Sequence, residues 1–322
     1  MPRGRRNWID PELGGYHVIS RVGDSSVWFD NEEKEYFLTL LELYSKSFFV
    51  EINAFCFMSN HFHLLVTGME KEAERASVKD LENRYCLMYG KNVQFPVGSI
   101  DRGGEVEVDG DYGLQRLRER LGSVPRFVQE LKQSFGRWYN KKHKRKGFLW
   151  GERYKSVLVS HGDAQLICSA YIDLNPIRAQ IKGVSQPEDY RWSSIGLKAR
   201  SPRRANQILQ SVEQNRLTQV KDYNCYRQFV YTTGAIKVRN KRGQLSETMV
   251  KKIVDRCGKL GVAGTLRYRS KNLSEGIAFG DKDFIAELQK RAKRKFVRPR
   301  VLFADGGEEG LCTTRIFRKG DI

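Results

Sequence analysis

The chain has 322 residues, 40% hydrophobic and 30% charged, with 57 lysines and arginines against 38 aspartates and glutamates and a formal net charge of +19. That is the composition of a soluble globular protein of one large domain or two ordinary ones, and no apolar run approaches the roughly 20 residues of a membrane span. It excludes a membrane protein, and the basic excess points to a polyanionic partner, nucleic acid first, since it makes phosphate binding nearly unavoidable at moderate salt. No secretory signal is read in the charged start MPRGRRNWIDPELGG, so the cytoplasm, with nucleoid association, is the expected compartment. Six cysteines (Cys56, Cys86, Cys168, Cys225, Cys257, Cys312) stand far apart with no C-x-x-C pair and are read as free thiols.

Tyr16 to Val22 alternates apolar and polar residues, the pattern of a strand, and SSVWFD (25–30) continues it or forms a second extended piece. Asp30 stands where an N-cap would, with Glu33 three residues on. Apolar positions Tyr36, Phe37, Leu40, Leu41, Leu43 and Tyr44 follow and predict a helix to about Ser47. Phe49 to Met58 is rich in strand formers, Ser59 and Asn60 make a turn pair, and His61 to Thr67 is another strand, together a tight hairpin.

Residues 68–122 break this rhythm. Charged helical stretches alternate there with the glycine-rich, acidic DRGGEVEVDGDYG (101–113), and the segment is read as an insertion unable to build its own core. After Pro125, Phe127, Val128, Leu131, Phe135 and Trp138 fall at helical spacing, followed by the basic run 141–146. Phe148 to Ser160 returns to strand character. Asp163 is expected to cap a last helix with the apolar stripe Leu166, Ile167, Ala170 and Leu174, which Pro176 should end.

Strand, helix, two strands, helix, strand is the order of a ferredoxin-like split βαβ, here with one extra helix. The expected class is α+β, an antiparallel sheet with helices on one face. The expected organisation is a domain over 1–200 with 68–122 inserted, a linker and helix over 201–235, and a mainly helical accessory module over 236–322. Its two basic helices read equally well as a DNA-binding unit or as a partner-binding or stabilising appendage. The final nineteen residues, 304–322, are expected to be loosely ordered.

In a strand, side chains repeat every two residues, so His61 and His63 share one face while Phe62, Leu64 and Val66 point to the other. The strand's back can then be buried while its front binds a cation. Alone, an H-x-H pair is as often an ordinary hydrogen-bonded or surface pair. Tyr171 and Asn175, four apart in SAYIDLNPIRA, share a helical face, although each taken singly reads better as a core-edge tyrosine and a helix-end residue. Arg137, Lys141, Lys142, Lys144, Arg145, Lys146, Arg153 and Lys155 form a basic tract interleaved with Phe135, Trp138, Tyr139, Phe148, Trp150 and Tyr154. Such charges track phosphate, and such rings stack on bases.

Three blocks in series, MSNHFHLLV, FVQELKQSFGRWYNKKHKRKGFLWGERYKSVLV and YIDLNPIRA, closely resemble the REP-associated tyrosine transposases, the insertion-sequence-200-like branch of the single-tyrosine HUH enzymes. The resemblance spans roughly Gly15 to Ser194; the long segment before Pro125 and the C-terminal extension depart from it. It implies that His61 and His63 hold a divalent metal, Mg²⁺ or Mn²⁺, that Asn175 is the third ligand, and that Tyr171 is the catalytic tyrosine. In-line attack by that phenol on a phosphate of single-stranded or hairpin DNA would give a 5′-phosphotyrosine and a free 3′-OH. A second 3′-OH could then reseal without ATP, which is strand transfer. No small-molecule cofactor is implied. Two other readings stand beside it: a domesticated DNA-binding protein of the same fold that no longer cuts, and a hydrolytic metal-dependent nuclease using water.

Overall fold

Alternation along four strands gives the sheet two different faces, and the helices are sorted between them. The structure is a computed structural model that describes residues 13–24, 28–90, 95, 108–209, 223–236, 243–255, 278–280, 282–291, 300–301 and 312–314. Outside the described residues lie 25–27 of the expected extended piece, 101–107 of the acidic stretch, most of the link between the two C-terminal helices, and nearly all of 304–322.

β1 (Gly14–Arg21) leads to α1 (Asn31–Ser47), the hairpin of β2 (Val50–Phe57) and β3 (His61–Gly68), then α2 (Glu70–Arg75), α3 (Val78–Tyr89), α4 (Val108–Gly122) and α5 (Val124–Lys142). β4 (Lys155–Ser160) and α6 (Asp163–Asp173) complete this part. The strands lie in the order β2-β3-β1-β4 with every neighbour antiparallel, which is the split βαβ the sequence predicts. α1 begins as expected: Asp30 accepts from the Glu33 backbone at 3.0 Å, and the Asp30 N–H donates back to the Glu33 carboxylate at 2.5 Å.

Tyr16, Val18, Phe62, Leu64, Val66 and Leu158 face one way and form a single core with α1 and α5. Five phenylalanines meet at its centre. Phe37 stacks on Phe57 at 3.9 Å, Phe29 on Phe57 at 5.0 Å, and Phe135 stands edge-on to Phe57 at 5.4 Å. α6 covers the opposite face, where Ala54, Cys56, Leu65, Val157 and Val159 meet Leu166, Ile167 and Ala170 in a second core.

Several expectations are corrected. The segment from Phe148 is not a strand until Lys155, because Gly147 turns the chain at φ +89 and Gly151 passes so close to Gly23 that a side chain at either would collide with backbone. Trp28 to Asp30 is not extended ladder either: Trp28 is exposed while Phe29 enters the aromatic core. Gly162, not Asp163, occupies the cap of α6, and Asp163 sits in its first turn. Pro176 does not end that helix. α6 stops at Asp173, and Pro176 lies in the first turn of a short helix α7 (Asn175–Arg178), where its missing N–H is no loss.

The inserted segment is built into the molecule, since Leu81, Leu114, Leu117 and Leu121 enter the α1/α5 core. The stretch beyond residue 200 does not stand apart either. α8 (Ser194–Arg200), α9 (Pro202–Ile208) and α10 (Tyr223–Ala235) send Leu197, Ala205 and Ile208 into the first core and Tyr226, Phe229, Val230 and Tyr231 into the second. α11 (Glu247–Val254) and α12 (Lys282–Arg291) match the two predicted C-terminal helices, whereas β5 (Ala278–Gly280), β6 (Arg300–Val301) and β7 (Cys312–Thr314) extend the sheet unforeseen. Strands of two or three residues carry too little alternation to read. No described helix is long and apolar enough to cross a membrane, and the four cysteines described as free are Cys56, Cys86, Cys168 and Cys225.

Candidate active site

β3 carries His61 and His63 on the face turned toward α6. In the register of the sheet Ile19 opposes His63 and His17 opposes Leu65, so His17 of β1 falls on that face diagonally to His63. The result is three imidazoles in one place. His17 Nε2 and His63 Nδ1 are 3.0 Å apart, with the rings stacked at 5.2 Å, and the His61 and His63 rings are 5.2 Å apart and steeply inclined. His17 is fully buried and His63 nearly so, while His61 is partly open. His61 Nδ1 lies 2.7 Å from the side-chain oxygen of Asn60, the turn residue before it.

α6 brings Tyr171 to the same group. Its ring meets His63 and His17 edge-on, each at 5.8 Å between centroids. Burial pushes the phenol up to about 12, and buried Cys168 on the same helix adds to the rise. Asn175, at the start of α7, is buried, and its amide nitrogen donates to the carbonyls of Tyr171 at 3.2 Å and Ile172 at 3.3 Å. That ties the amide to the end of α6 and leaves its oxygen as the atom able to face a cation.

The neighbours of α6 hold it from behind. Asp173 is fully buried and accepts from Tyr226 Oη at 2.6 Å and from the Ile195 N–H at 3.1 Å, and burial pushes its carboxyl up to about 7. Arg178 donates to the carbonyls of Ile236, Thr233 and Gly243 at 2.6 to 3.3 Å. Thus the acid and the arginine of YIDLNPIRA clamp the catalytic-helix candidate to the C-terminal helices. Both went unread in the sequence, because their partners lie 22 to 65 positions away.

The donor set fits a divalent cation in its chemistry. Both histidines of the H-x-H pair keep Nδ1 against a polar partner, the arrangement that orients a ligating imidazole and leaves Nε2 for the ion. Among the described residues no three His, Cys, Asp or Glu side chains are grouped to hold a metal by themselves, so an amide oxygen, phosphate or water would have to complete the shell.

The basic tract lies around α5 and the loop after it. Arg137, Gln129, Lys132, Phe148, Trp150 and Tyr154 line a groove of about 650 Å³, and Phe148 stands wholly exposed. Lys141, Lys144, Lys146, Arg153 and Lys155 are exposed, whereas Arg145 reaches Asp24 at 3.6 Å. Lys142 is turned inward: it pairs at 2.8 Å with both Glu32 and Glu33 at the start of α1. The loop reaches the histidine end of the sheet, for Val22 bonds Asn60, Gly23 bonds Leu149, and Gly151 bonds Arg21, the residue opposite His61.

Two imidazoles with oriented Nδ1 atoms, a largely buried phenol and an adjoining basic groove thus lie at one end of the sheet. Residues 12–95 match the family model described as "Transposase IS200 like", a segment that includes His17, His61 and His63 and ends before α5 and Tyr171. The resemblance carried by the sequence is thereby found independently in this part of the chain. No curated protein matches. Among solved structures the chain is similar to one described as a REP-associated tyrosine transposase bound to a REP hairpin, at 14% identity and a TM-score of 0.38, covering 63% of this chain and 87% of that one.

Proposed function

We propose that the chain nicks and rejoins single-stranded DNA beside hairpins, with Tyr171 as the nucleophile. The observation that carries the reading is the packing of the Tyr171 ring against His63 at 5.8 Å, on the sheet face where His61 also stands. A divalent ion, Mg²⁺ or Mn²⁺, held by His61, His63 and Asn175, would draw charge from the scissile phosphate.

Everything else falls to the chain's own groups. Burial pushes the phenol up, so it stays protonated at neutral pH and has to give up a proton in the step. The Tyr171 oxygen bonds to phosphorus as its proton passes to water, the bond to the 3′ oxygen breaks, and that oxygen takes a proton from water and leaves as a 3′-OH. The energy of the phosphodiester stays in the tyrosine link, so another 3′-OH can reverse the step and expel the phenol. Burial of the ring keeps bulk water from intercepting the link. Arg137, Lys141, Lys144, Arg145, Lys146, Arg153 and Lys155 would carry the backbone toward His61, with Phe148 a stacking platform for a base. Lys142, held by Glu32 and Glu33, serves the fold more than the DNA.

The test is incubation of the wild type and of Tyr171→Phe with hairpin-bearing oligonucleotides and Mg²⁺, followed by denaturing gels. The wild type should give a covalent protein–DNA band and a free 3′-OH fragment, and Tyr171→Phe should bind without either. Cleavage that survives in Tyr171→Phe and releases a 5′-phosphate would replace the proposal with a water-using nuclease. Binding with no adduct from any wild-type preparation would make the chain a non-cleaving DNA-binding protein.

A further inference from the structure

The H-x-H motif has no use for a third histidine, yet His17 is the most buried imidazole of the site. Its Nε2 meets His63 Nδ1 at 3.0 Å, and its ring packs against both His63 and Tyr171. His61 supplies a reference. Its Nδ1 lies 2.7 Å from the Asn60 side-chain oxygen, and an Nδ1–H donated there is the tautomer that would direct Nε2 to a cation.

Two neutral imidazoles joined by one hydrogen bond allow two arrangements. If His17 donates, His63 carries its proton on Nε2 and offers a cation no lone pair there. If His63 donates, its Nε2 is bare, and it matches His61. His17 does not join the pair as a ligand in a three-residue cluster, since no such cluster exists among the described residues. Its contact is with the back of His63, where an orienting partner belongs.

We propose that His17 is a positioning residue: it accepts the Nδ1–H of His63, fixes that ring's tautomer with Nε2 bare for the cation, and holds the Tyr171 ring beside it. The proposal rests on the cation-assisted reading of the site. It requires no bond to break, only a proton to be kept on one nitrogen.

The experiment has two independent readouts. In the metal-free wild type with ¹⁵N-labelled histidine, long-range ¹H–¹⁵N spectra at a pH where the imidazoles are neutral should show His63 protonated on Nδ1. Mn²⁺ binding followed by electron spin resonance should weaken ~10–100-fold in His17→Phe, which keeps a ring but has no acceptor. His17→Gln, whose amide oxygen can accept, should recover part of that loss. Full-length protein is used throughout.

A His63 ring protonated on Nε2 in the wild type, or Mn²⁺ affinity unchanged in His17→Phe while His61→Ala loses it, overturns the role of His17. Either result leaves Tyr171 adduct formation untouched. Conversely, His61-dependent Mn²⁺ binding that weakens in His17→Phe, in a protein that never forms an adduct, supports the positioning role and removes the strand-transfer reading. Absence of Mn²⁺ binding by the wild type removes the proposal outright.

Discussion

On the α1 and α5 side of the sheet Phe29, Phe37, Phe57, Phe62 and Phe135 meet ring to ring, whereas on the α6 side the same strands bury His17 and His63 beside Tyr171. Phe62 and His63 are consecutive residues, separated only by the alternation of β3. The aromatic side holds the molecule together by area and shape. The α6 side gives up part of that packing to polar groups, each of which must be satisfied or in use. Thr67 donates to Asn53, Gln165 to Thr67, and Tyr226 to Asp173, while Asn53 Nδ2 and Gln165 Oε1 are buried without a hydrogen-bond partner among the described residues. Buried polar pairs that rigidify α6 also fix where Tyr171 stands.

That contrast can be broken by moving the same kind of change from one face to the other. The largest expected effect on function is His63→Ala, which should lower strand transfer by more than ~100-fold while costing less stability than loss of a core phenylalanine; a larger loss of stability with activity retained would reverse the assignment of the faces. Phe135→Ala should do the opposite, lowering stability by about 3–5 kcal/mol, measured by denaturant unfolding.

Asp173 sharpens the comparison through pH. Its folded-state carboxyl is raised to about 7 from an ordinary 3.8, so the native state holds a proton that the unfolded chain releases. Stability from this group is fully present below about pH 4 and declines as pH rises toward 7, by up to roughly 1.4 kcal/mol per pH unit. Asp173→Asn should flatten that decline, and an unchanged pH profile of the melting temperature would show the carboxyl to be ionised in the folded protein.

Smaller effects belong to the groove. Phe148→Ala should leave stability within about 0.5 kcal/mol and weaken single-stranded DNA by about 1–3 kcal/mol, read by fluorescence titration. Lys146→Ala should lower the slope of log affinity against log salt by about 1, and Lys142→Ala should not, because Glu32 and Glu33 already neutralise that ammonium.

The strands of the hairpin, α1 with its Asp30–Glu33 cap and the apolar stripe of α5 were legible because each rests on periodicity or a local hydrogen bond. His61 and His63 could be placed on one face for the same reason. His17 could not be joined to them, although its strand was read correctly, because its position depends on the register between β1 and β3, and register is a long-range property. Likewise the segment after residue 200 read as a linker because KARSPRRANQ is polar, yet Ala205 and Ile208 on its buried side reach the first core. Two apolar residues among charges are a weak stripe in sequence and a sufficient one once α1 lies beside them. Arg178 and Asp173 were hidden inside a motif read only for its tyrosine and asparagine.

Peptide mapping by mass spectrometry after reaction of the full-length protein with a hairpin oligonucleotide and Mg²⁺ tests the central claim most directly. A nucleotide remnant on the peptide containing Tyr171, and absent when His61 and His63 are replaced by alanine, is the predicted result. A remnant on Tyr139 or Tyr154 instead, or an adduct indifferent to both histidines, would contradict it.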